Sequence, residues 1–143
     1  YNQLQAYNID PARVTFEILE DVEEIDLSLI QRNIIQLRSY GFGISIDDFG
    51  TGYSSLSYLN NLPINELKID KSFIKDITTS KSSLTMIKSI IDLSKNLGFT
   101  VLAEGVETEE QFKLIKKLKC NNIQGFYFSK PLDKEKLLEF LKK

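Results

Sequence analysis

Histidine is absent from the 143 residues. Its absence excludes a Ser-His-Asp triad, histidine acid–base catalysis and most zinc sites. The single cysteine, Cys120, excludes an intramolecular disulfide, reads as a small packing residue and fits a reducing, cytoplasmic setting. No apolar run approaches the ~20 residues that span a bilayer. Basic residues do not dominate: 18 Lys and Arg stand against 20 Asp and Glu, a formal charge of −2. No global positive field is therefore available to hold a DNA or RNA polymer by counterion release. A small anion neutralised locally by metal stays open. The first residues, Tyr1-Asn2-Gln3, carry neither an initiator methionine nor a leader pattern. They read as the start of a piece cut from a longer polypeptide, whose other parts could carry a membrane anchor.

What the chain does contain is alternation. Val14 to Glu17 reads as a strand, 26–40 as a helix closed by Gly41, and Phe42 to Asp47 as a second strand. A short helix over 55–61 stops before Pro63. Leu67 to Ile69 is a third strand, and 82–97 a helix capped by Ser82 or Ser83 and closed by Gly98. Thr100 to Ala103 is a fourth strand. Thr108 opens a capping box for a helix over 109–118. Ile123 to Gly125 is a fifth strand, followed by an edge-like segment, and Asp133 caps a last helix to about Leu141. Five β-then-α units imply an α/β fold with a parallel sheet and right-handed crossovers, open or closed into a barrel.

One string stands out: Asp47-Asp48-Phe49-Gly50-Thr51-Gly52-Tyr53-Ser54-Ser55, after a short apolar strand. Neighbouring buried carboxylates are costly unless paired or bound to metal. Each predicted strand also carries a polar residue at or near its C-terminal end: Glu17, Asp47, Lys68, Glu104 and Gln124. In a (β/α) barrel those ends converge on one mouth, so residues distant in sequence would share a site. Glu17, Asp47, Asp48 and Glu104 then form an all-oxygen set suited to Mg²⁺, Mn²⁺ or Ca²⁺. Taken singly, each acid would serve equally well as a helix cap.

Lys68, between Leu67 and Ile69, should point opposite to its neighbours, toward the mouth, with Asp70 as a local partner. A surface lysine on an edge strand is the plainer alternative. The glycine-bracketed loop after Asp48 suits a lid or an anion cradle, or is an ordinary connection. Glu20 and Glu107 are read as loop-holding or solvated acids.

These strings closely resemble the EAL domain family of cyclic-di-GMP phosphodiesterases. The resemblance rests on Phe16-Glu17-Ile18-Leu19-Glu20, on Asp47 to Ser55, on Leu67-Lys68-Ile69-Asp70, on Ala103-Glu104-Gly105-Val106-Glu107 and on Gln124-Gly125-Phe126. It implies a (β/α)8 TIM-type barrel in the parent domain, of which residues 1–143 would be the C-terminal portion, strands four to eight, an incomplete barrel of about five βα units. It implies hydrolysis of cyclic-di-GMP to linear pGpG with two divalent cations, Mg²⁺ or Mn²⁺, and Ca²⁺ as an inhibitor.

By that resemblance Glu17, Asp47, Asp48 and Glu104 are metal ligands, with Asp47 bridging and Glu104 acting directly or through water. Lys68 assists the attacking water, and Gln124 positions water or phosphate. Glu20 anchors the loop, while Asp70, Glu107 and Thr51 support the site or touch substrate. A homodimer and fused sensor, receiver or cyclase domains are implied partners. The family's Glu-Ala-Leu motif and an asparagine on the following strand, both metal ligands, are missing, so the chain alone is expected to be inactive or very weak. A non-catalytic cyclic-di-GMP receptor or interaction module is the alternative.

Overall fold

The computed structural model describes residues 1–19, 27–51 and 56–142. Its elements are α1 (Asn2–Ala6), a 3₁₀ turn (Pro11–Arg13), β1 (Thr15–Leu19), α2 (Leu27–Ser39), β2 (Gly43–Phe49), α3 (Leu56–Asn61) and β3 (Glu66–Ile69). They continue with α4 (Lys71–Lys75), α5 (Lys81–Leu97), β4 (Thr100–Ala103), α6 (Glu109–Lys117), β5 (Asn122–Ile123) and α7 (Lys134–Phe140).

The five strands form one all-parallel sheet in the order β1-β2-β3-β4-β5. A doubly wound fold reverses its strand order at a switch point. This sheet never reverses, which is the winding of a (β/α) barrel. Five strands make an arc of such a barrel rather than a closed one.

The two faces of the arc differ in chemistry. Ile44, Ile46, Leu67, Ile69, Val101 and Ala103 are all buried, and they pack with Ile34, Ile87, Ile90, Ile91 and Ile115 of the flanking helices. Side chains alternate along a strand. The register pairs Glu17 with Ser45, Ser45 with Glu66 and Lys68 with Leu102. These residues therefore occupy the other, inner face. Apolar residues thus bind the strands to the helices, while the inner face carries Glu17, Ser45, Glu66 and Lys68 together with Leu102.

Helix ends follow the sequence signals closely. Gly41 (φ +91°) and Gly98 (φ +79°) take the left-handed conformation that ends α2 and α5. Thr108 and Gln111 form the capping box of α6, and Asp133 caps α7 through the Lys136 N–H. The cap of α5 is Ser80 rather than Ser82 or Ser83: its Oγ accepts from Ser83 N–H, so the helix starts one residue after it. Two short pieces carry too few residues for a periodic signal, namely α1 and α4. Asp70 caps α4 by accepting from Ser72 N–H. The segment after β5 is a turn and no edge strand, closed by Phe128 N–H donating to Gly125 O and Tyr127 N–H to Val106 O. The predicted starts of α2 and α3, at Asp26 and Ser55, lie outside the described residues.

Candidate active site: an acidic rim on a buried lysine

Asp47 and Asp48 do not end β2; the strand runs on to Phe49. Ile46 pairs with Leu67 and Phe49 with Ile69, so the two aspartates oppose the single residue Lys68. That is a β-bulge, the device that re-aims a side chain beside a site. Asp48 sits at φ +53°, in the left-handed region that aspartate tolerates better than most residues. Thr51 closes the turn behind it, with both its N–H and its Oγ1 donating to Asp48 O.

Lys68 is 6% exposed, which removes the surface-lysine alternative. Its Nζ lies 2.7 Å from Glu17 Oε1, 2.9 Å from Asp47 Oδ1 and 3.0 Å from Glu104 Oε1. The three carboxylates come from β1, from β2 and from the residue just past β4. Burial opposes the charge on Lys68, but hydrogen bonds to Glu17, Asp47 and Glu104 outweigh it and hold the ammonium well above the usual lysine range. Asp70 is not its partner. Asp70 caps α4 and shares a hydrogen bond with Asp48, because the residue after β3 faces the bulge rather than the barrel interior. Burial first, then the Asp47 and Asp70 carboxylates, push the Asp48 carboxyl above its usual range. Burial opposes ionisation of Asp70 too, yet the Ser72 hydrogen bonds prevail and lower it.

Glu17 lies in the middle of β1 rather than at its end, and its side chain is half exposed because β1 pairs only with β2 among the described residues. Glu104 follows Ala103 into a loop where Gly105 (φ +71°) packs against Lys71; a Cβ there would come within 2.6 Å of the Lys71 Cβ. This close approach ties the Glu104 loop to α4.

A second tie escaped the sequence reading. Gln111, 7% exposed, accepts from the N–H groups of Glu107 and Thr108 and donates to the carbonyls of Ile74 and Lys75. Its glutamine identity three residues after Thr108 announces the capping box, but nothing local announces the reach to α4.

Gln124 and Glu107 do not join the carboxylates around Lys68. Gln124 is exposed just past β5, where its N–H donates to Ala103 O and its carbonyl accepts from Val106 N–H. Gly125 makes that placement possible, since a Cβ would sit 2.1 Å from Val106 O. Gln124 lines an open cavity of about 490 Å³ with Leu102, Phe126, Phe128, Lys130 and Phe140. Glu107 is exposed. Glu20, Gly52 and Tyr53 to Ser55 lie outside the described residues.

Among the described residues, no group of three or more acids or thiols is arranged to hold a metal ion by itself. The donor chemistry nonetheless suits one. All donors are carboxylate oxygens, and three of them already converge on a single positive centre. Distances of 2.7–3.0 Å exceed the ~2.1 Å of a Mg²⁺–O bond. A divalent ion would have to draw the carboxylates inward.

A singly wound α/β arc with three carboxylates gathered on one buried lysine defines a site of the (β/α)-barrel class. The chain belongs to the EAL domain family, whose pattern matches residues 1–131. It is 45% identical over 135 residues to the oxygen sensor protein DosP of Escherichia coli, covering 94% of this chain and 17% of DosP. It is 41% identical over 139 residues to the bifunctional diguanylate cyclase/cyclic di-GMP phosphodiesterase MucR of Pseudomonas aeruginosa, covering 96% of this chain and 20% of MucR.

Among solved structures, the MucR phosphodiesterase in complex with c-di-GMP superposes with a TM-score of 0.89 at 40% identity, covering 95% of this chain and 55% of that one. The EAL domain of Mycobacterium smegmatis DcpA superposes with a TM-score of 0.92 at 33% identity, covering 99% and 63%. The chain thus spans about a fifth of these curated relatives and somewhat over half of the solved chains.

Proposed function

We propose that this chain supplies the acid-rich half of a metal-dependent phosphodiesterase that cleaves cyclic-di-GMP to linear pGpG. The observation that carries the reading is Lys68, buried opposite the Asp47–Asp48 bulge and ringed by Glu17, Asp47 and Glu104. Family membership and the c-di-GMP complex of MucR support the substrate.

Glu17, Asp47, Asp48 and Glu104 would hold two divalent ions, Mg²⁺ or Mn²⁺. Bound there, such ions activate water near neutral pH and neutralise charge in an in-line displacement. The protein's own groups do the rest. The Asp47–Asp48 bulge sets two carboxylates side by side against one lysine. Lys68 offers N–H donors to water or a phosphate oxygen. Gln124, held by its backbone to Ala103 and Val106, would bring its amide to the water or the phosphate once substrate is bound. Asp70 and Gln111 hold α4 and the Glu104 loop in place. No histidine base is required.

The test is an assay of the full-length protein with Mg²⁺ or Mn²⁺, following pGpG by chromatography. Product is expected, together with loss of at least ~100-fold in kcat for Asp47→Asn, since Asp47 would be among the carboxylates that hold the ions. No product from protein that binds cyclic-di-GMP would defeat the enzymatic reading. That outcome would favour the second one, a non-catalytic receptor module.

A further inference from the structure

A lysine ammonium has three N–H donors. Lys68 meets three carboxylate oxygens, those of Glu17, Asp47 and Glu104, at 2.7, 2.9 and 3.0 Å. Every proton on Nζ is therefore committed to the protein. An ammonium in that state has nothing left for a water or a phosphate oxygen, yet the reaction proposed above needs such a donor.

The charge count points the same way. One positive charge sits against three negative ones, and Asp48 adds a further carboxyl in the same bulge. A single monovalent cation leaves this nest under-neutralised. Strands β1 and β2 and the end of β4 all contribute an acid, and no cation but Lys68 is paired with them among the described residues. Without it, like charges would push the three elements apart.

We propose that Lys68 is the resident counter-cation of the metal-free rim, and that a divalent ion enters by displacing its ammonium from Glu17, Asp47 and Glu104. The displaced lysine then regains the free donors with which it can meet substrate. The inference rests on the metal-dependent reading above but concerns cation exchange rather than turnover. It makes the lysine both the stabiliser of the empty site and the competitor of the incoming metal. Metal loading and release of the lysine become one event, so the donor is freed only when a metal is present.

The test compares wild type, Lys68→Met and Lys68→Arg in the full-length protein. Mn²⁺ binding is measured by calorimetry without nucleotide, and thermal unfolding is followed with and without Mn²⁺. Removing one positive charge a few ångströms from the ion should tighten Mn²⁺ binding by roughly tenfold or more in Lys68→Met. Lys68→Arg keeps the competitor, so its affinity should stay within about threefold of wild type. The metal-free melting temperature of Lys68→Met should fall, and saturating Mn²⁺ should close most of the gap.

Unchanged or weaker Mn²⁺ binding by Lys68→Met would overturn the proposal, as would failure of both proteins to bind Mn²⁺. If Lys68→Met is unfolded without metal, recovery of its circular dichroism on adding Mn²⁺ is expected, and no recovery counts against exchange. The outcomes separate from those of the parent reading. Turnover by wild type with unchanged Mn²⁺ affinity in Lys68→Met keeps the phosphodiesterase and removes the exchange. Tighter Mn²⁺ binding without any wild-type turnover does the reverse.

Discussion

At the scale of single residues, burial decides what chemistry a side chain keeps. Lys68 and Cys120 are both withdrawn from water, with opposite results. Lys68 remains charged because three carboxylates replace its hydration. For Cys120, burial outweighs the nearby backbone hydrogen bonds and pushes its thiol up to about 11. Its single S–H lies within reach of the carbonyls of Val101 and Asn122 and is shared between them, a donation the thiolate cannot make. Alkylation by iodoacetamide at pH 8 should therefore run roughly 100-fold slower than for an unhindered thiol. The rate should approach that of the free thiol once the protein is unfolded in urea. Rapid labelling of the folded protein at pH 8 would contradict the assignment. The sign for stability follows. The folded state holds this proton more tightly than the unfolded one, so the contribution is complete below the ordinary thiol pKa of ~8.5 and declines as pH rises toward about 11.

At the scale of elements, short connections carry the site. The loop from Glu104 to Thr108 is held by Gly105 against Lys71 and by Gln111 reaching from α6 to the end of α4. Thr108 opens α6, and its Oγ1 accepts from Gln111 N–H. Thr108→Ala should cost about 1 kcal/mol, read as a lower urea midpoint with an unchanged slope. Thr108→Ser keeps the acceptor and should remain near wild type. Equal loss in both variants would show that the cap is not what matters. The capping box was legible because two residue types at a fixed spacing suffice for it. The helix α4 was not, because its five residues span little more than one turn, too few for an apolar repeat to show. The bulge at Asp47–Asp48 was also illegible. It is defined by what the neighbouring strand does, and β3 offers one residue against two.

At the scale of the whole molecule, the helix-covered centre of the sheet is finished and its β1 edge, among the described residues, is not. The helix-covered face is a continuous core of Ile, Leu and Val. By contrast, β1 leaves Phe16 42% and Leu19 61% exposed. A parallel sheet is stable when its strands are paired and its faces covered. The 143-residue chain expressed by itself should therefore self-associate with rising concentration, seen by sedimentation velocity. Leu19→Lys should shift it toward monomer by charging the edge. A monomeric wild-type chain at high concentration would refute this.

Unlike the Ser80 cap of α5, the alternation of strands and helices, the caps at Gly41, Gly98, Thr108 and Asp133, and the candidate acids were determined by the sequence alone. These depend on local periodicity, on glycine's conformational freedom and on residue type. Which acids meet was decided only by tertiary structure. Glu17, Asp47 and Glu104 gather on Lys68, while Asp70 turns to Asp48 and Gln124 stays apart. Register and the bulge set those partnerships, and both are properties of two strands at once. No single stretch of chain contains them.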